Sequence, residues 1–339
     1  SGQSMFTEIA DVTVPAGTFS RAIHINAALT VSAELFEQPF VLPLPYEQWA
    51  AEAIGIVKWS ANPTEVNELV ASNLVASPVA LSASILPTSR SVRVGDAATA
   101  FATIIAVGSE TASQCRIAPL TPLSIPLPRP LEFSYQTTDP NTNQVLGVPN
   151  TPVDIESGTF QTFVLSLTPN GALAPTQVEF AFACTNSGLA GQIPGVNSLL
   201  LSGSDTDVAD VIALAATLTG LGITDIPGTT GTGFFSVATV NLGIEDEIEV
   251  QADTGETALP VTLTMCETDP STAVCINPAS PSAAPVTTTI ATNATPTFAV
   301  FVTGTDNVPF DPANNRVFVN FKDSSGLTRG GTSVAIRTQ

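Results

Sequence analysis

The chain has 339 residues, enough for two or three domains, and 44% of them are hydrophobic, so core material is ample. Only 12% are charged, and 30 acidic residues against 10 basic ones leave a net charge of −20. Such a surface repels nucleic-acid phosphates and anionic lipid headgroups, which excludes those partners. No run of 18 apolar residues exists, so no membrane-spanning helix is expected.

The first quarter, residues 1–76, reads as a small α+β segment. The start Ser1-Gly2-Gln3-Ser4 lacks a basic stretch followed by an apolar one, so any signal peptide is expected to have been removed. Val12-Thr13-Val14 and Ile23-His24-Ile25 alternate like strands. Residues Tyr46 to Lys58 predict a helix with Trp49, Ala53, Ile56 and Val57 on one face. A second helix is expected from Asn62-Pro63, with Asn62 as cap, Pro63 in the first turn and Glu65 behind it. Its apolar face would be Val66, Leu69, Val70 and Leu74. Short helices cannot stand alone in water. Val12, Val14, Phe19, Ile23, Ile25, Trp49, Ile56, Val66 and Leu69 are therefore the candidate assembly residues, docking on the neighbouring domain or on another subunit.

From residue 77 onward the chain repeats itself, and an internal repeat organises a fold before any other signal. Val79–Leu86 parallels Ile212–Leu218. Gly95 opens an alternating run through Phe101, Thr103 and Ile105, as Gly228 does through Phe235, Val237 and Thr239. Leu131–Tyr135 answers Val261–Met265, and each is followed by Thr-Asp-Pro, at Thr138–Pro140 and Thr268–Pro270. Phe160–Leu167 answers Thr295–Val302. Pro175 leads into Val178–Phe182, as Pro312 leads into Val317–Phe321. The period inside each copy is two, the strand signature, and Asp-Pro, Pro-Asn-Gly and Gly-Thr-Thr-Gly supply the turns. Short strands at regular spacing predict two tandem immunoglobulin-like β-sandwiches, 77–204 and 205–339.

The four cysteines sort with the copies. Cys266 and Cys275 flank the second Thr-Asp-Pro hairpin, and Cys115 and Cys184 both fall in the first copy. The expected bridges are Cys115–Cys184 and Cys266–Cys275, which imply an oxidising compartment. Four packed free thiols is the competing reading.

Catalytic signatures are sparse. His24 is the single histidine, and no Gly-x-Ser-x-Gly elbow or phosphate-binding Gly-rich loop accompanies it. A pair of facing carboxylates could hide among thirty acids, but two Trp and two Tyr make a thin platform for a sugar substrate. The chain is read as non-catalytic. Asp205, Asp207 and Asp210, at the junction of the copies, and Glu245, Asp246, Glu247 and Glu249 are the candidate calcium ligands, because calcium takes six to eight oxygens. The EF-hand pattern is not met, and solvated carboxylates in turns is the competing reading. Asn293-Ala294-Thr295 is a glycosylation sequon.

The Thr-, Ala-, Val-, Gly- and Pro-rich composition, the tandem sandwiches and the acidic charge resemble bacterial extracellular proteins built of tandem immunoglobulin-like sandwiches. The resemblance covers residues 78–339. It implies a secreted surface-layer, adhesin or filament-subunit protein with no catalytic residue and no cofactor, and a homo-oligomer or homopolymer as its assembly. The alternative is an adhesin or glycan-binding module, stabilised by calcium, that meets a glycan or host surface. An accessory region of a secreted hydrolase is the third reading.

Overall fold

The computed structural model describes residues 2–14, 17–35, 38–51, 55–62, 65–68, 79–120 and 131–339. Among the described residues the secondary structure is entirely β. The chain divides into two compact units, residues 1–78 and 79–339.

The first unit is one antiparallel sheet of five strands in chain order. These are β1 (Gly2–Val14), β2 (Gly17–Leu35), β3 (Gln38–Ala51), β4 (Gly55–Asn62) and β5 (Glu65–Glu68). The helix expected over Tyr46–Lys58 is instead the end of β3 and the start of β4. Trp49 pairs with His24 on one side and Lys58 on the other. The Trp49 ring stacks on His24 at 4.3 Å between centroids, and the Lys58 ammonium lies 5.4 Å above it. Cross-strand aromatic and cation–π contacts of this kind outweigh the modest helix propensity of Glu47–Ala51. The second expected helix begins as β5 where it is described; Leu69, Val70 and Leu74 lie outside the described residues. Val12, Val14, Ala22 and Val57 form a small buried cluster with Trp49 against it. Ile23, Ile56, Trp59 and Val66 are exposed. Phe19 pairs with Val12 across the β1–β2 hairpin, and Ile25 is half-buried.

The second unit holds two face-to-face sheet pairs. The first pair comprises β6 (Val79–Leu86), β7 (Ser89–Arg93), β8 (Ala98–Gly108), β9 (Ala112–Pro119), β10 (Leu131–Thr138), β11 (Val153–Ile155), β12 (Phe160–Pro169), β13 (Leu173–Ala183) and β14 (Ser198–Ser204). Its sheets run β10-β12-β8-β6 and β11-β9-β13-β14-β7. One buried cluster draws on both, with Ile104, Phe163 and Leu165 from one sheet and Ile117, Phe180, Phe182 and Leu199 from the other.

The second pair comprises β15 (Val211–Thr217), β16 (Ile223–Ile226), β17 (Thr232–Asn241), β18 (Asp246–Asp253), β19 (Val261–Thr268), β20 (Cys275–Ser282), β21 (Val286–Ile290), β22 (Thr297–Gly304), β23 (Arg316–Lys322) and β24 (Thr328–Thr338). Its sheets run β15-β17-β22-β19-β20 and β16-β24-β23-β18-β21. Strand for strand this is the order of the first pair, with β20 added at one edge. Even the parallel ladder recurs, as β7 on β14 and β16 on β24. The internal repeat is therefore a repeat of topology.

The ladders also correct the register of the repeat. Phe163 pairs with Ala102, and its counterpart Phe298 pairs with Val237. Ala102 thus corresponds to Val237, Ala100 to Phe235, and Phe101 to Ser236. The sequence match of Phe101 with Phe235 is one residue out, and a one-residue slip exchanges the two faces of a strand. Phe101 is 45% exposed, whereas Phe235 is 1% exposed. The match of Val79–Leu86 with Ile212–Leu218 slips by three residues, since Ala83 and Ala213 occupy equivalent rungs opposite Ile104 and Thr239. Bulk is exchanged between facing sheets: Ala100 and Phe180 in the first copy stand where Phe235 and Val319 stand in the second.

Candidate functional site

Among the described residues, an extensive polar cluster lies where the two sheet pairs meet. Strand β7 reads Ser-Arg-Ser-Val-Arg, and its first four residues are all buried. It sits at the edge of its own sheet and lays its side chains against β24, whose Gly330-Gly331 brings bare backbone close. The Thr88 hydroxyl donates to the Gly331 carbonyl at 2.9 Å, and the Gly331 N–H donates to the Ser89 hydroxyl at 2.7 Å. Ser202 donates to Ser91 at 2.9 Å, and the Arg329 guanidinium donates to Ser202 at 3.3 Å. A buried polar group without a partner is costly, so each of these side chains specifies one placement of the two halves.

Two buried ion pairs anchor the seam. Arg90 donates from Nε and Nη2 to Asp210 Oδ2 at 3.0 and 2.9 Å, and the Ser91 N–H donates to Asp210 Oδ1 at 2.8 Å. The third guanidinium nitrogen of Arg90 donates to the Thr99 carbonyl. Asn241 holds the backbone beneath, accepting from the Asp210 N–H and donating to the Ile244 and Ile290 carbonyls. In the second pair, Arg329 Nε donates to Asp323 Oδ2 at 2.6 Å. Burial works to raise the Asp323 pKa, but hydrogen bonds from Ser325, Arg329 and the Leu327 N–H outweigh it and hold the carboxyl below its ordinary value.

Further along, Arg316 donates to the Ser333 hydroxyl and carbonyl and the Pro312 carbonyl, and Ser333 in turn donates to the Gly195 carbonyl at 3.0 Å. Burial lowers the Arg316 pKa to about 10, so it stays charged at neutral pH. A side chain on Gly195 would meet Ser333 Oγ at 2.6 Å, and its φ of +72° suits glycine.

Beside this seam opens a cleft of about 400 Å³, lined by Arg93, Asp96, Asp207, Leu242, Ile244 and the edge of the Arg90–Asp210 pair. Of the calcium candidates, Asp210 is buried and spent on Arg90. Asp205 and Asp207 are exposed, and Asp207 lies 3.7 Å from Arg93. Glu245 and Glu247 are exposed, and half-buried Asp246 accepts from the Glu247 N–H at 2.8 Å. Among the described residues no three acidic, histidine or cysteine side chains gather in a metal-ligating group.

Both expected disulfides are present, Cys115–Cys184 and Cys266–Cys275. Each ties strands within one sheet: Cys184 follows Ala183, which pairs with Arg116, and the second bridge joins β19 to β20. Two such bridges fit an oxidising, non-cytoplasmic setting. Among the described residues no helix is long and apolar enough to cross a membrane.

The two Thr-Asp-Pro hairpins fold alike. Asp139 accepts from the Asn141 and Thr142 N–H groups, and Asp269 from those of Ser271 and Thr272 and from both their hydroxyls. The backbone and hydroxyl donors lower the Asp269 pKa to about 2, the Ser271 hydroxyl contributing most. The turns close on Asn143 and Ala273, both with positive φ.

The sequence reading missed the seam. Its one trace in the sequence is the placement of Arg90, Arg316 and Arg329 in segments otherwise rich in small and apolar residues, without a partner in view; all three are buried. Arginine is rarely buried without a dedicated partner. No protein-family model matches the chain, and no curated protein matches it.

Proposed function

We propose that this chain is a secreted, non-catalytic structural subunit that self-assembles into an extracellular filament or surface layer, its N-terminal sheet contacting a neighbouring subunit. The observation that carries the reading is the polar seam. Arg90–Asp210 and the Ser89–Gly331 pair join two like sandwiches through buried polar contacts, which suits a spacer.

The strand order supports an immunoglobulin-like class. The first strand of each copy splits between the sheets, as β6 then β7, and the second part runs parallel to the last strand. The segment between β9 and β12 departs from that pattern, since it visits the β12 edge before the β9 edge. The two bridges depart as well, because immunoglobulin domains link their two sheets.

The N-terminal sheet supports the assembly side. It leaves Ile23, Ile56 and Val66 exposed in addition to its buried Val12, Val14, Ala22 and Val57 cluster, and exposed apolar side chains gathered on a sheet mark a contact surface. Electron microscopy and light scattering of the full chain at rising concentration test the proposal. Ordered polymers that fail to form with Ile23→Glu/Ile56→Glu are the expected result. A compact monomer at millimolar concentration overturns it.

The cleft beside the seam favours a second reading, a glycan-binding adhesin, with Arg93, Asp96 and Asp207 as polar contacts. Specific binding on a glycan array, compared with and without chelator, by a chain that does not polymerise decides for it.

A further inference from the structure

Charge is distributed unevenly between the two sheets of each sandwich. Strands β6, β8 and β12 contain no Asp, Glu, Lys or Arg, and neither do their counterparts β15, β17 and β22. The charged strand residues concentrate on the opposite sheet, most densely on β18. In a chain of net charge −20, most approaches of one copy to another are repulsive. A face without charge is where that repulsion is weakest.

On the first sandwich this outward face is also apolar. Leu86 is 53% exposed, Phe101 45%, Ile105 41%, Val107 50% and Phe160 52%. They are contiguous: Leu86 lies opposite Phe101 and Phe160 opposite Ile105, with Val107 next along β8. The duplication supplies an internal control, because the second sandwich has the same topology. At the places of Leu86, Phe101 and Phe160 it carries Ala216, Ser236 and Thr295, while Ile105 and Val107 answer to Val240 and Leu242. The fold therefore does not require the bulk of Leu86, Phe101 and Phe160. The second sandwich has its own aromatic pair, Phe234 and Phe301, one rung away at the level of Thr99 and Ser166.

We infer that the outward face of the β10-β12-β8-β6 sheet is a docking surface for a second copy of this chain, packed face to face about a two-fold axis. The inference rests on the self-assembly reading above and adds to it a lateral contact, distinct from the N-terminal one. Area favours a like partner. The five side chains expose about 360–600 Å² in all, taking ~150–250 Å² for each whole side chain. That is within reach of the ~800 Å² per partner of a stable interface once the Ser and Thr rim of the same sheet is added. Charge favours it too: a basic partner would seek the acidic strands, whereas this face carries only Glu132, at the β10 edge, and is matched by another as sparsely charged. An isologous contact of this kind closes on itself, so it doubles strands laterally and leaves lengthwise growth to the N-terminal sheet.

Sedimentation equilibrium of the full chain at 0.02, 0.15 and 0.5 M NaCl tests the inference. The expected result in the Ile23→Glu/Ile56→Glu background, where lengthwise polymers do not form, is a dimer that tightens with salt as the net-charge repulsion is screened. Phe101→Glu is expected to weaken it at least hundredfold and Phe101→Ser about tenfold. Ser236→Glu, the same charge at the equivalent place in the second sandwich, is expected to change it less than threefold. Circular dichroism melts confirm that each variant is folded, and Phe101→Ser carries the test if Phe101→Glu is not. A chain monomeric at every salt concentration in that background overturns the inference, as does Phe101→Glu leaving its dimer unchanged, or the face binding glycan in a monomeric chain. Polymers lost with Ile23→Glu/Ile56→Glu but indifferent to Phe101→Glu and Phe101→Ser would leave the subunit reading standing and remove the lateral contact. A salt-tightened dimer, sensitive to Phe101→Glu, in a chain that never polymerises would do the reverse.

Discussion

Replacing Arg90 by Met asks the seam for its strength. Both side chains of the Arg90–Asp210 pair are less than a tenth exposed. The substitution removes the donors at 3.0 and 2.9 Å from Asp210 Oδ2 and leaves a buried carboxylate with the Ser91 N–H as its remaining partner from β7. Breaking one side of a buried pair costs about 3–5 kcal/mol. For a unit of this size, at roughly 2–4 °C per kcal/mol, the melting temperature should fall by about 10 °C. Arg90→Met/Asp210→Asn removes both charges yet keeps an oxygen for the Ser91 N–H, and it should recover at least ~2 kcal/mol of that loss. Urea unfolding followed by circular dichroism measures both variants, with the midpoint of each sandwich fitted separately if the transitions part. A cost below ~1 kcal/mol for the single variant, or a double variant no more stable than the single one, would refute the view that this pair anchors the junction.

Further outcomes are expected elsewhere. Ala273 holds φ at +58°, so Ala273→Gly should stabilise the second hairpin by ~1 kcal/mol, read as a higher urea midpoint. Removing Cys115–Cys184 by paired Ala substitution should cost more than removing Cys266–Cys275, because the bridged residues are 69 apart against 9; loop entropy gives about 4.4 against 2.7 kcal/mol, to be compared by denaturant titration. The Asp269 pKa is lowered to about 2 from 3.8. Its hairpin bonds are therefore fully present above pH 4 and lost as the pH falls through 2, which Asp269→Asn should abolish in an acid titration followed by NMR.

Much of the second unit was legible because alternation, turn residues and repetition agree there. Thr-Asp-Pro marks both hairpins, and the cysteines sort by copy, so the bridges followed. The register did not follow. A hydrophobic pattern of period two does not say which phase is inward when both phases carry apolar residues, and β8 offers Phe101 and Ile105 outward against Ile104 and four alanines inward. Only the ladder partners resolve that phase. The helices expected near Trp49 failed for a related reason. Glu47–Ala51 favours a helix locally, but its partners His24 and Lys58 are supplied by other strands, and no local window contains them. The seam was invisible because each half of it is unremarkable alone: Arg90 and Asp210 stand 120 residues apart.

The seam also fixes an order of events. Thr88, Ser89 and Ser91 wait on groups of Gly331 and Arg329, some 240 positions later in the chain. During synthesis from the amino end, the earlier sandwich can bury its own core long before those groups exist. Until β24 leaves the ribosome it carries β7 as a wet, polar margin. Synthesis of β24 is thus what completes the junction, and a nascent chain halted before residue 328 would hold its two halves by the Asp210 contacts of Arg90 and Ser91 without those of Thr88 and Ser89.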